Sequence, residues 1–284
     1  MPDPGEHTDF VRWRSARLAD RQAAPAVEGV WNHLFTIFLF PPARPDSGAL
    51  ARSLADLRAQ SYANVEVILL GQDAPLDTEG FLHLRGLFGE PALGPADILG
   101  DPATDPLWRG SHLLFAEAGT RFDPDAFARF NLALADPAHD STPDLVLSDH
   151  DRPAVAGGMP EPVFLPGWDP DRLACFDYAG TAFLASRALV RAMRGPARPS
   201  SPEDWLRAVA LRPVQPSVTL LREPVLRLPS PAAPPRPGLA APDLPGGTAV
   251  ALILPGRNRA DLLRSALRLL DAPLGFRPEP VVID

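Results

Sequence analysis

Leu34-Phe35-Thr36-Ile37-Phe38-Leu39-Phe40 is an unbroken apolar run that stops at Pro41-Pro42. A run this short, rich in aromatic residues and bounded by two residues that cannot donate to a ladder, predicts a buried strand. Ala49 to Gln60 follows, with Leu50, Leu54 and Leu57 at helical spacing, and Asn64 precedes a second apolar run, Val65-Glu66-Val67-Ile68-Leu69-Leu70. Strand, helix and strand within about 37 residues make a βαβ unit. Its strands must be parallel and its crossover right-handed, so the chain is expected to be α/β.

The same alternation continues. Ser111 to Phe115 reads as a short strand leading to Glu117-Ala118-Gly119-Thr120, and Pro124 to Leu134 as a helix opened by proline. Asp144 to Ser148 reads as another strand, ending in Asp149-His150-Asp151. A Gly- and Pro-rich loop follows. The second half of Thr181–Met193 has helical spacing, and Ser201-Pro202-Glu203-Asp204 opens a helix to about Leu211.

Composition removes whole classes of chemistry. Net charge is −8, so no polyanion-binding surface is suggested and no nucleic-acid partner is expected. All 27 basic residues are arginine. A P-loop and a Schiff-base enzyme each need a lysine, so both are excluded. One cysteine, Cys175, rules out a disulfide framework and a cysteine-cluster zinc site. The six histidines are scattered without metal-ligand spacing. No Gly-x-Gly-x-x-Gly follows a strand, which sets aside a dinucleotide-binding fold. No targeting segment is visible, and the most apolar run falls far short of the ~20 residues that span a bilayer. A cytoplasmic chain is expected.

Residues 1–30 form a polar arm, with a helix from the N-cap Thr8 to about Ala24 that Pro25 ends. The arm is expected to be peripheral and without chemistry. Residues 31–228 make the main domain. Residues 229–247 are a linker, since seven prolines in seventeen residues (229–245) favour an extended strap. Residues 248–284 restart the βαβ pattern: Pro41 and Pro255, like Val67 and Val281, stand 214 residues apart. A repeat of that period points to duplication of a domain. A unit of about 37 residues is too small to fold without a covering surface, so the tail is expected to be the front of a second domain.

Several segments, taken in order, resemble family-2 glycosyltransferases of the bacterial surface-polysaccharide type. They are Leu252–Leu263; Leu57–Val67; Ser148-Asp149-His150-Asp151; Phe164-Leu165-Pro166-Gly167-Trp168-Asp169-Pro170-Asp171; and Glu203-Asp204-Trp205-Leu206-Arg207. The resemblance covers roughly residues 34–228 and restarts at 248–284. It implies the GT-A fold, with a mostly parallel central sheet, and inverting transfer from a nucleotide-diphosphate sugar to a glycan or lipid-linked acceptor. It leaves open a peripheral association with the inner face of the membrane.

The chemistry implied sets requirements. A departing diphosphate must meet positive charge, supplied by a divalent cation (Mg²⁺ or Mn²⁺) or an equivalent group. Such ions take carboxylate oxygens, which members of that family present as Asp-x-Asp after a strand. By its place before Pro124-Asp125-Ala126-Phe127, Glu117 is the candidate metal ligand, although its partner two residues on is Gly119. Asp149 and Asp151 form a literal Asp-x-Asp in a later position and are candidates for donor contacts. Asp204, with Glu203, matches the family's general base, which removes the acceptor hydroxyl proton. The same residues also read as a helix cap, with Ser201 as N-cap, Pro202 at N1 and Asp204 at N3. Asp73 is the candidate for the donor-base contact, from a position shifted past Gly71-Gln72, and Asp284 occupies the matching place in the second copy. Trp168 is a candidate to stack on a sugar or base, or to anchor its loop. Two functional readings follow: an active glycosyltransferase, or a degenerate GT-A domain kept as a binding or structural module.

Overall fold

The computed structural model describes residues 12–17, 19–20, 33–42, 46, 48–71, 84–87, 93–136, 141–153, 160–195, 199–229, 250–255 and 278–283. It divides into two compact units, Met1–Pro237 and Gly238–Asp284.

The first unit is built on one nine-stranded sheet. Its strands are β1 (Phe35–Phe40), β2 (Val65–Leu70), β3 (Leu84–Leu87), β4 (His112–Glu117), β5 (Arg121–Phe122), β6 (Leu145–Arg152), β7 (Glu161–Val163), β8 (Phe183–Ser186) and β9 (Val218–Arg227). They lie in the order β3-β2-β1-β4-β8-β6-β9-β5, with β7 paired to β6. β1 is parallel to both β2 and β4, β2 to β3, and β6 to β9. β8 runs antiparallel to both β4 and β6, which leaves those two pointing the same way. Six strands therefore share one direction and β5, β7 and β8 oppose them. The α/β class and the mostly parallel central sheet are as expected.

Helices cover both faces. On one, α1 (Ala49–Arg58) and α3 (Ala126–Leu134) bring Leu54, Leu57, Phe127, Phe130 and Leu134 against Phe35, Ile37, Leu39, Leu114 and Ala116. On the other, α2 (Pro95–Gly100), α4 (Pro170–Cys175), α5 (Arg187–Ala192) and α6 (Pro202–Ala210) surround Phe38, Leu113 and Phe115 with Ile98, Leu173, Val190, Trp205 and Leu206. Successive residues of β1 and β4 thus feed opposite cores. A strand buried on both faces needs apolar residues at every position, and that is why β1 reads as an uninterrupted run.

Three expectations change. The first half of Thr181–Met193 holds strand β8, antiparallel in a mostly parallel sheet, and the ten-residue β9 has no counterpart in the sequence reading. Asp149-His150-Asp151 does not follow a strand but lies within it: β6 continues to Arg152, paired with β7 on one side and β9 on the other. The N-terminal arm, helical at residues 12–17, is not a bare appendage. Trp13 meets Phe164 edge to face at 6.2 Å, and Arg14 reaches the sheet.

In the second unit, β10 (Val250–Pro255) and β11 (Pro278–Ile283) form a parallel pair, as a repeated βαβ pattern requires. The predicted helix between them, most of the Pro-rich linker, Asp73 and Asp284 lie outside the described residues. Among the described residues no helix is long and apolar enough to cross a membrane.

Candidate active site

The order of the strands reverses at β1. From there the chain steps outward through β2 to β3, then returns to β4 on the opposite side. In open α/β sheets, ligands bind in the crevice at the carboxyl ends of the strands flanking such a reversal. Here those ends are Phe40 and Glu117, which are register partners.

The turn carrying Glu117 is fixed from both sides. The Thr120 N–H and hydroxyl donate to the Glu117 carbonyl at 2.9 and 2.8 Å. Ser53, wholly buried on α1, accepts from the Gly119 N–H at 2.9 Å and donates to the Thr120 carbonyl at 2.8 Å. Gly119 has φ +105°, a conformation that side-chain-bearing residues rarely adopt. Gly119 is the position where the resemblance to family-2 glycosyltransferases leads one to expect a second carboxylate; any side chain there would strain the turn, and its Cβ would meet Pro229 at 3.2 Å.

Because β6 points the same way as β4, Asp151 and Arg152 lie on the same carboxyl edge as Glu117. The segment leaving β9 passes between them. The Leu228 N–H donates to the Asp151 carbonyl at 2.9 Å, and a side-chain carbon on Gly180 would meet Leu228 at 3.2 Å. Pro229 lies beside Gly119 as noted.

The two carboxylates of the Asp-x-Asp have different partners. Asp149 accepts from the Leu165 N–H at 2.8 Å, and burial pushes its carboxyl above the ordinary range. Asp151 is 0% exposed and ion-paired with Arg14 Nε at 2.6 Å and Arg227 Nε at 3.7 Å. Burial nevertheless outweighs both arginines and raises its carboxyl. Arg14 also bonds Asp123 at 3.0 Å.

Glu203 and Asp204 open α6, whose N-cap Ser201 accepts from the Asp204 N–H at 3.2 Å. The Asp204 carboxylate takes the Ser200 hydroxyl and faces Arg207 at 3.5 Å. Glu203 is raised by burial first, with hydrogen bonds from its own N–H and from Ser201 acting against it. Of the two carboxylates at the start of α6, Glu203, together with Asp177, lies close enough for its charge to act on Arg152. Trp168 donates its indole N–H to Gln215 at 2.9 Å and packs on the core, which ties down its loop.

Among the described residues no group of three or more His, Cys, Asp or Glu converges on one point. Asp151 is held by arginines and Gly119 carries no carboxylate, so of the candidate metal-site positions among the described residues Glu117 is the carboxylate at a strand end. Sequence reasoning did not find Arg14, Arg152 or Asp177. In a chain with 27 arginines, nothing in sequence separates the two that are buried at an edge from those in solvent.

No known family's sequence profile matches the chain, and no curated protein matches it. Solved structures do. S. aureus TarS, residues 1–349, aligns with 14% identity and a TM-score of 0.48 over 69% of this chain and 60% of that one. The same protein in complex with UDP-GlcNAc gives 13% and 0.47 over 70% and 59%. The mannosyltransferase PcManGT from Pyrobaculum calidifontis, in complex with GDP-Man and Mn²⁺, gives 15% and 0.48 over 82% and 66%. This chain thus spans less than two thirds of the TarS chains it matches.

Proposed function

We propose that the sheet-bearing unit is a GT-A glycosyltransferase domain of the family-2 kind, taking a nucleotide-diphospho-sugar as donor. The observation that carries this reading is the reversal of strand order at β1, which sets Glu117 at the mouth of a carboxyl-edge crevice. Acid–base groups on the same edge supply the rest. Glu203, its carboxyl raised by burial, is a stronger base than an exposed carboxylate and is suited to accept a proton. It takes the proton from an acceptor hydroxyl as that oxygen forms its bond to the anomeric carbon. The bond from that carbon to the diphosphate oxygen breaks on the far side, and the sugar inverts. Asp204 holds the start of α6 against Ser200 and Arg207 and keeps Glu203 in place. The acceptor in this reading is a glycan or lipid-linked saccharide of a cell-surface polymer, modified at the inner face of the membrane.

A second reading is favoured by Asp151, closed over by Arg14 and Arg227, and by the lack of a second carboxylate after Glu117. It is a GT-A module that binds a nucleotide sugar without turning it over. Calorimetry and product analysis with a panel of UDP-, GDP- and CDP-sugars, with and without Mn²⁺, separate the two. Binding with transfer or slow donor hydrolysis supports the enzyme; binding alone supports the module. No binding to any donor at millimolar concentration refutes both.

A further inference from the structure

Arg152 ends β6 and is 6% exposed. Its Nε donates to His150 Nε2 at 2.9 Å, while His150 Nδ1 lies 3.1 Å from the Ser148 carbonyl and donates to it. That arrangement requires a neutral imidazole, and burial holds His150 down at about 4, so it is neutral. The partner of this guanidinium therefore brings no negative charge. Its Nη2 is buried without a hydrogen-bond partner. No carboxylate among the described residues lies within ion-pair distance of it. Asp177 and Glu203 act on it only from further away, and Asp177 is already engaged by the Gly180 N–H at 2.7 Å.

The contrast with other arginines is instructive. Arg14, Arg129 and Arg194 are also largely buried, and each has a carboxylate within 4 Å. A buried cation without a counter-charge opposes folding unless something else compensates it. Room for Nη2 exists only because Gly180 lacks a side chain: a carbon there would overlap it, and φ at Gly180 is +57°. The fold thus keeps at the carboxyl edge a buried guanidinium with no carboxylate at ion-pair distance among the described residues.

We propose that Arg152 is a built anion site, which takes phosphate oxygens of a diphosphate ligand bound at the carboxyl edge. A guanidinium offers two parallel donors to phosphate oxygens, and in a low-dielectric setting that contact is strong. In a nucleotide-sugar enzyme, the group that the site would hold is the departing diphosphate, and Arg152 would neutralise charge as the sugar bond breaks. That extension rests on the function proposed above; the anion site itself does not.

The test is binding of inorganic pyrophosphate to the full chain in EDTA-containing buffer, by calorimetry. The comparison set is Arg152→Gln, Arg152→Lys and a control, Arg191→Gln, which removes an exposed ion pair with Asp105. Arg152→Gln should weaken pyrophosphate about tenfold or more, Arg152→Lys should recover part of that, and the control should bind like the parent. Without ligand, Arg152→Gln should melt at or above the parent temperature, because it removes an uncompensated charge. A melting temperature well below the parent's, with Arg152→Lys restoring it, would mark Arg152 as structural and overturn the proposal. So would pyrophosphate binding that Arg152→Gln leaves unchanged, or no pyrophosphate binding by the parent. If pyrophosphate binds through Arg152 but no nucleotide sugar binds, the anion site stands and the glycosyltransferase reading fails. If sugar transfer proceeds equally well in Arg152→Gln, the glycosyltransferase reading stands and the role of Arg152 toward the departing diphosphate fails.

Discussion

Arg14→Ala tests whether the N-terminal arm is part of the domain. The substitution leaves Asp151, at 0% exposure, with only the more distant Arg227. Breaking a buried ion pair by removing one partner costs about 3–5 kcal/mol, and the remaining Arg227 argues for the lower end, about 3 kcal/mol. In a unit of this size each kcal/mol moves the melting temperature by about 2–4 °C, so a fall of roughly 6–12 °C is expected. The sign of its pH dependence follows from Asp151. Its carboxyl is already raised above the ordinary 3.8 by burial, and Arg14 is the largest influence lowering it. A raised carboxyl contributes stability that is complete below 3.8 and is lost as pH rises through the folded value. Removing Arg14 lifts that folded value further. The penalty of Arg14→Ala relative to the parent should therefore be largest near neutral pH and shrink toward about pH 4, as Asp151 takes up a proton. Differential scanning calorimetry of the full chain at several pH values measures it. Arg14→Ala/Asp151→Asn should regain most of the loss, because an amide in place of the carboxylate needs no counter-charge. If Arg14→Ala melts with the parent throughout, the arm is an appendage and the ion pair contributes nothing.

Three further outcomes are expected. Glu203→Gln should lower turnover by about 10²–10⁴-fold while leaving donor affinity nearly unchanged, and Asp204→Asn should cost far less, because the Asn amide oxygen can still accept from the Ser200 hydroxyl; a steady-state comparison decides between them. Gly180→Ala should destabilise by about 1–2 kcal/mol through its positive φ and also weaken pyrophosphate binding by displacing Arg152, read by melting and calorimetry on the same variant. His112 and His150 are both lowered from 6.5 to about 4 by burial, so they stabilise the fold above 6.5 and lose that contribution as pH falls through 4. Each is worth about 3 kcal/mol across that window, and replacing either by Gln should flatten the acid side of the stability profile.

The β1–α1–β2 unit was legible because a doubly buried parallel strand leaves an unmistakable apolar run. β8 and β9 were not. β8 is four residues long and continues directly into α5, so a single apolar stretch carries two structures. β9 has an Arg and a Glu at its midpoint, Arg222 and Glu223, where its register with β6 shifts. Such a bulge breaks the alternation that identifies a strand. β6 misled in the opposite direction. Asp-His-Asp-Arg looks like the end of a strand, because four polar side chains are rarely buried together. They remain in the sheet because each finds a partner: the distant Leu165 for Asp149, the distant Arg14 and Arg227 for Asp151, and one another, two positions apart on the strand, for His150 and Arg152.

The same difference separates what the sequence says about the site from what it omits. Glu117 and the Glu203-Asp204 pair could be named as candidates because they sit at local signals, a strand end and a helix start, that single-sequence reading can detect. Asp151 and Arg152 adjoin in sequence, yet one is compensated and the other is not. That distinction depends on which arginine the arm and β9 deliver, and on a glycine 28 positions along the chain at Gly180. Charge balance at the carboxyl edge is thus a tertiary property. It also bears on the chemistry, since Asp151 meets Arg14 and Arg227 while Arg152, its neighbour in sequence, has among the described residues only the neutral His150 for a hydrogen-bond partner.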